Sequence, residues 1–224
     1  MRPSFHCSPG AAAGFQPTPR SMSANENSQL SASRSRARLA EVFRSWSERP
    51  SIMGILNATP DSFAGDGLAR DVEGLLARGR EQHAEGAAII DVGGESTRPG
   101  ATPVSDDEEL ARVLPVVERL ARTIDVPISI DTSKPAVAEA ALRAGARIVN
   151  DVSGLRDVRL AEAAARHGAW LVVMDNGWTR PKPVHDRIVD TVCEELARAR
   201  DVALRAGVAR DRIVVDPGLG FGKT

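Results

Sequence analysis

The sequence has only two cysteines, Cys7 and Cys193, so neither a disulfide framework nor a thiolate metal cluster is available. Its four histidines, His6, His83, His167 and His185, are scattered without ligand spacing, which argues against a zinc hydrolase. It lacks a charge excess of either sign. Lys and Arg number 29 against 30 Asp and Glu, a formal net charge of −1, whereas a general nucleic-acid binder shows a basic surplus. No apolar run approaches the ~20 residues of a membrane-crossing helix. Lysine is also scarce, with Lys134, Lys182 and Lys223 alone, and the excess of Arg and Ala reads as coding bias. What remains is a 224-residue chain, 42% hydrophobic, long enough for one sizeable core and too short for two ordinary domains.

Residues 1–37 differ from the rest. Pro3, Pro9, Pro17 and Pro19 sit among many serines, and Glu26 is the sole acidic residue. Such a segment cannot bury enough apolar area to order itself. It has no apolar core of a secretory signal, and its Arg- and Ser-rich character only faintly resembles a transit peptide. The expectation is a disordered extension or an over-called start, with Met22 as an alternative first residue.

The folded domain is expected over 38–224. Leu39, Val42, Phe43 and Trp46 fall at helical spacing and predict a short helix packed beneath the fold. Apolar runs then predict strands at Ile52–Leu56, Ala88–Val92, Pro127–Ile130, Arg147–Val149, Trp170–Met174 and Ile213–Val215. Helical patterns lie between them at Val72–Glu85, Ser105–Thr123, Pro135–Ala144, Val158–His167 and Asp186–Ala206. Ser105 with Glu108 has the form of a capping box. Gly86, Gly145, Gly168 and Gly207 each follow a helix, where a left-handed residue ends it.

Strands alternating with helices predict a parallel α/β fold. The strand runs are apolar almost throughout, as expected where both faces are covered. Polar residues follow nearly every strand: Asn57, Glu95–Arg98, Asp131, Asn150–Asp151 and Asp216. Convergence from many strand ends marks the catalytic face of a TIM (β/α)8 barrel rather than the single switch point of an open sheet. Strand onsets recur about every 32 residues, so about six βα units are expected of the eight in a ~250-residue barrel, with about 60 to 80 residues to follow.

Five motifs carry a resemblance. Ile52–Phe63 (IMGILNATPDSF), Gly86–Ala101 (GAAIIDVGGESTRPGA), Ser129–Thr132, Ile148–Gly154 (IVNDVSG) and Asp216–Lys223 (DPGLGFGK) resemble, in order, the signatures of the dihydropteroate synthase family. The resemblance implies joining of p-aminobenzoate to 6-hydroxymethyl-dihydropterin diphosphate, with diphosphate released. A pterin edge presents N–H donors beside a carbonyl, which carboxylates and an amide can read. By resemblance Asp131, Asn150 and Asp216 hold the pterin, and Asp131 also stabilises positive charge developing on the ring. Met174 is read either as packing on the pterin face or as core filler. The diphosphate needs cations and donors, assigned by resemblance to Thr97 and Arg98, with Ser96 beside them. Asn57 is implied as a magnesium ligand, with Asp61 in the same loop at the metal or ordering the loop. Phe63, Pro99 and Phe221 are implied to line the p-aminobenzoate pocket, which sulfonamides also occupy. Lys223 is left between two readings, near the diphosphate or a solvated loop residue. The implied partners are small-molecule substrates, with no nucleic acid and no membrane, and a homodimer at full length in the cytoplasm.

The chain departs from the family at three points. Its Ser-Arg-Lys and Arg-x-His motifs are absent, and Asp175 stands after Met174 where the family usually has His. The missing cations imply that these 224 residues alone turn over poorly. The alternatives are a pterin-binding methyltransferase module of the corrinoid-dependent kind, which has no diphosphate to bind, and an inactive fragment or paralogue.

Overall fold

A computed structural model describes residues 39, 41–43, 50–59, 68–97, 100–177 and 187–223. The expected N-terminal extension therefore lies outside the described residues, as do Asp61, Phe63, Arg98 and Pro99. The side chains of 68–71 are likewise undescribed.

Among the described residues from 53 onward, six strands alternate with five helices: β1 Met53–Asn57, α1 Leu68–Ala84, β2 Ile89–Gly93, α2 Asp106–Thr123, β3 Ile128–Asp131, α3 Pro135–Ala144, β4 Ile148–Asp151, α4 Val158–His167, β5 Trp170–Met174, α5 Ile188–Arg205 and β6 Ile213–Asp216. A 3₁₀ turn at Arg210–Arg212 precedes β6. The strands form one sheet in the order β1-β2-β3-β4-β5-β6, and each neighbouring pair is parallel. These are six consecutive βα units of the (β/α)8 barrel type. Among the described residues no pairing joins β6 to β1. Each of these edge strands exposes an apolar side chain, Ile55 (60%) on β1 and Val215 (48%) on β6.

The helices begin and end where their sequences require. Glu108 N–H donates to the Ser105 side chain at 3.2 Å, half of the expected capping box. The reciprocal half is replaced, because the Glu108 carboxylate pairs with Arg112 one turn on. Asp157 caps α4 by accepting from Arg159 N–H at 3.0 Å. The four glycines expected after helices all have positive φ, between 57° and 124°.

Alternation along the strands sorts the core into two layers. Leu56, Ile90, Val92, Ile128, Ile130, Val149, Leu171 and Val173 face the helices. Their alternate neighbours, Ile89, Ile148 and Val172, face the other way and pack with Leu39 and Val42. Phe43 stacks on Trp170 with ring centroids 3.9 Å apart. Leu39, Val42 and Phe43 of the expected short helix thus pack against residues near the strands' N-terminal ends, and Trp46 lies outside the described residues. With that end filled by apolar side chains, the opposite end is the one that carries polar groups.

Candidate functional site at the strand C-termini

Register places the polar residues. Asn57 pairs with Gly93, Gly93 with Asp131, Asp131 with Asn150, Asn150 with Val172 and Val172 with Val214. Four consecutive strands, β1 to β4, thus bring one amide, one glycine, one carboxylate and a second amide into a single row. Met174 and Asp216 pair with each other two residues farther along β5 and β6. Parallel strands repeat the same facing every second residue, so Asp91, Ser129 and Ile148 lie on this face below the row. Gly93 leaves space in the row, since a Cβ there would stand 3.5 Å from the Asp131 carboxylate.

The row is rich in acceptors. Asn150 donates its Nδ2 to Asp91 Oδ2 at 3.0 Å. Asp131 Oδ1 is buried and makes no hydrogen bond among the described residues. Burial pushes the Asp131 carboxyl well above the usual carboxylate range, and the negative charges of Asp91, Glu109, Asp151 and Glu95 push the same way. Burial also raises Asp91, opposed by Ser129 and Asn150, which favour its charged form. A charged Asp131 therefore awaits hydrogen-bond donors or positive charge from a ligand.

Asp151, next to Asn150, has a different role. It is fully buried and accepts from the backbone N–H groups of Ser153 at 2.8 Å and Leu155 at 2.6 Å. Leu155 has φ of 54°, a conformation an L-residue holds only when its surroundings impose it. Asp151 thus shapes the loop after β4. Asn176 ties the loop after β5 to it by donating to the Val152 carbonyl at 3.1 Å.

The turn after β2 is anchored from behind. Arg112 donates to the Gly94 carbonyl at 2.7 Å. Gly94 packs closely on α2, since a Cβ would meet Val113 Cγ1 at 2.7 Å. Lys134 bonds both Glu95 and Glu109, joining the turn, α2 and the start of α3. Burial opposes the Lys134 charge, but the two carboxylates outweigh it and raise its pKa. Thr97 follows in this turn and is half-buried.

The loop after β6 closes against β5. Gly218 N–H donates to Asp216 Oδ1 at 2.7 Å, and Asp175 N–H to the Asp216 carbonyl at 3.0 Å. Gly218 has φ of +63°, and a Cβ there would sit 2.2 Å from the Asp175 carbonyl and 3.1 Å from Met174 Cγ. Lys223 donates to the carbonyls of Asp175 (2.6 Å), Gly218 (2.9 Å) and Phe221 (3.3 Å). Its ammonium lies 3.4 Å from Asp175 Oδ2, with both side chains more than nine-tenths buried.

Among the described residues no group of three or more His, Cys, Asp or Glu is arranged to hold a metal. Asn57, exposed at the end of β1, offers one hard oxygen. An oxygen of this kind is the hard donor that magnesium takes.

Residues 53–224 match the family model described as pterin binding enzyme. The chain belongs to the pterin-binding enzyme family. It is 44% identical over 181 residues to the dihydropteroate synthase of Bacillus subtilis (strain 168), covering 80% of this chain and 62% of that protein. Among solved structures it resembles Xanthomonas albilineans dihydropteroate synthase with 4-aminobenzoic acid, with TM-score 0.73, 44% identity, and coverage of 79% of this chain and 64% of that one. It also resembles Burkholderia cenocepacia dihydropteroate synthase complexed with 7,8-dihydropteroate, with TM-score 0.70, 46% identity, and coverage of 79% and 61%. The chain thus spans less than two thirds of the length of these relatives.

Of the residues singled out in the sequence of this family member, Asn57, Asp131 and Asn150 share the row, and Asp216 lies beside it. Met174 is buried. Phe221 is half-buried in the loop after β6. Lys223 is not a solvated loop residue, because its side chain is buried and staples its own loop to β5. Asp175, which stands where the family usually has His, is the partner of that lysine. Asp91 was missed, being hidden inside a run that reads as an apolar strand.

Proposed function

We propose that the protein is a dihydropteroate synthase, joining p-aminobenzoate to 6-hydroxymethyl-7,8-dihydropterin diphosphate. The amine nitrogen forms a bond to the exocyclic methylene, the methylene–oxygen bond breaks, diphosphate leaves, and the amine loses a proton. The reading rests above all on the register row Asn57–Gly93–Asp131–Asn150. The matched relatives bearing the synthase name support it over a corrinoid-dependent methyltransferase module.

In this reading Asp131, Asn150 and Asp216 accept from the pterin N–H groups. Asp131, with a buried unpaired oxygen, meets the positive charge that grows on the ring as diphosphate departs. Thr97 and Arg98 receive the diphosphate from the turn after β2. Asn57 would offer one hard oxygen to a magnesium ion carried by that diphosphate, which when bound would supply neutralisation of leaving-group charge. Asp61 belongs to the same first loop, at the metal or ordering the loop. Phe63, Pro99 and Phe221 flank p-aminobenzoate, the pocket a sulfonamide enters. Met174 packs near the pterin, and the enzyme works in the cytoplasm as a homodimer.

Two assays test this. Calorimetric titration with the pterin diphosphate and magnesium is expected to give one site per chain, lost in Asp131→Asn. Formation of dihydropteroate, followed by mass spectrometry, is expected to require p-aminobenzoate and to be slow without the two absent cationic motifs. Binding of methyltetrahydrofolate in preference to the pterin diphosphate overturns the reading.

A further inference from the structure

We propose that Asp91 is a positioning residue that sets the hydrogen-bonding polarity of the pterin site by holding the Asn150 amide in one orientation. The inference rests on the pterin-site reading above and adds what decides the ligand's chemistry.

A side-chain amide is nearly symmetric in shape but opposite in polarity at its two ends, a carbonyl acceptor and a two-proton donor. Which end faces a ligand depends on what fixes the other. Here Asn150 Nδ2 donates to Asp91 Oδ2 at 3.0 Å. Asp91 lies below the row, paired in register with Ser129, and is only 4% exposed. It is therefore out of reach of a ligand on the rim, yet it touches the residue that reads one. An ionised carboxylate accepts and cannot donate, so the Asn150 carbonyl is turned away from Asp91. Burial raises the Asp91 pKa, and Ser129 and Asn150 oppose that rise.

The consequence is that the locked Asn150 turns an acceptor toward the ligand. Asp131 and Asp216 present carboxylate oxygens, and the locked Asn150 presents its carbonyl. Such a rim matches a ring edge bearing an amino group and a ring N–H. It repels a ring edge bearing a second carbonyl, because two acceptors would face each other with no proton between them. The 2-amino-4-oxo pterin edge is of the first kind, and the 2,4-dioxo lumazine edge is of the second. Without Asp91 the amide is free to turn, and the site loses its means of telling them apart.

The experiment compares 6-hydroxymethylpterin with 6-hydroxymethyllumazine by calorimetry on the whole chain, wild type and Asp91→Asn. An asparagine side chain at that position offers Asn150 either polarity while keeping shape. Wild type is expected to prefer the pterin by about 10- to 100-fold, the worth of a buried hydrogen bond lost to an unmatched acceptor. In Asp91→Asn that ratio is expected to fall about tenfold, with lumazine affinity least affected. If the variant weakens both ligands equally and the ratio stands, Asp91 serves packing alone and the proposal is overturned. A second readout needs no variant and no ligand. In ¹⁵N-labelled wild type one Asn150 side-chain proton is expected to be shifted downfield and protected from solvent exchange. Exchange as fast as an exposed asparagine contradicts the proposal. If wild type binds neither ring, the pterin reading itself fails, and the side-chain amide signal still decides whether Asp91 holds Asn150.

Discussion

Asn57 and Asp131 stand two strands apart in one register row, with Gly93 alone between them. In the proposed reading that gap is where the ligand lies. A valine at position 93 would project its methyls between the two polar groups. Gly93→Val is expected to lower pterin diphosphate affinity by about tenfold or more. Its φ is not positive, so a β-branched residue suits the strand. Titration and thermal melting together check this, with affinity lost and melting temperature nearly unchanged.

The raised pKa of Asp131 has two consequences of opposite sign. In the free protein the protonated form is favoured, so stability declines as pH rises from the ordinary 3.8 through the raised folded value. Ligand donors favour the charged form, so pterin affinity rises over the same range and binding releases protons. Calorimetry in two buffers of different ionisation heat is expected to detect that release as a buffer-dependent binding enthalpy.

Glu139 links α3 to α4. Its carboxylate pairs with His167 at 2.9 Å and Arg166 at 2.8 Å. Hydrogen bonds from these two hold its pKa down at about 2, against an ordinary 4.5. A depressed carboxylate contributes stability above its unfolded pKa and loses it as pH falls through the folded one. The loss is therefore expected between about pH 4.5 and pH 2. Glu139→Gln should cost about 0.5–1 kcal/mol near neutrality, the range of partly exposed ion pairs. Urea melts across pH are expected to converge for the two proteins at the acid end.

Asp151→Ala leaves the N–H groups of Ser153 and Leu155 without their partner and frees the strained Leu155 backbone. The expected cost is about 2 kcal/mol, read as a lower urea midpoint. Asp151→Asn keeps an acceptor and should cost about half of that. Both variants are also expected to weaken pterin binding, because Asn150 is the preceding residue on β4.

Most of the architecture was legible because apolar runs and helical periodicity are local signals. β5, α3 and α4 occupy the predicted ranges. The other strands extend one or two residues past the predicted C-terminal ends, into Asn57, Gly93, Asp131, Asp151 and Asp216. The reason is physical. Apolarity marks where a strand is buried, whereas backbone pairing continues into the polar residues that form the site. Asp91 was illegible as a site element because it sits inside an apolar run, although period-two spacing from Gly93 places it on the same face. Lys223 was illegible for another reason. Its carbonyl partner at Asp175 is 48 residues away, and no local pattern announces a contact of that range.

The central claim is that one pterin edge is gripped at the ends of β3, β4 and β6. Diffraction from crystals grown with 6-hydroxymethylpterin tests it most directly. The ring is expected within about 2.7–3.2 Å of Asp131, Asn150 and Asp216, with the Asn150 carbonyl facing the 2-amino group. Density for the ring anywhere else, such as the cavity of about 220 Å³ between Arg156, Asn176 and Arg198, would contradict it.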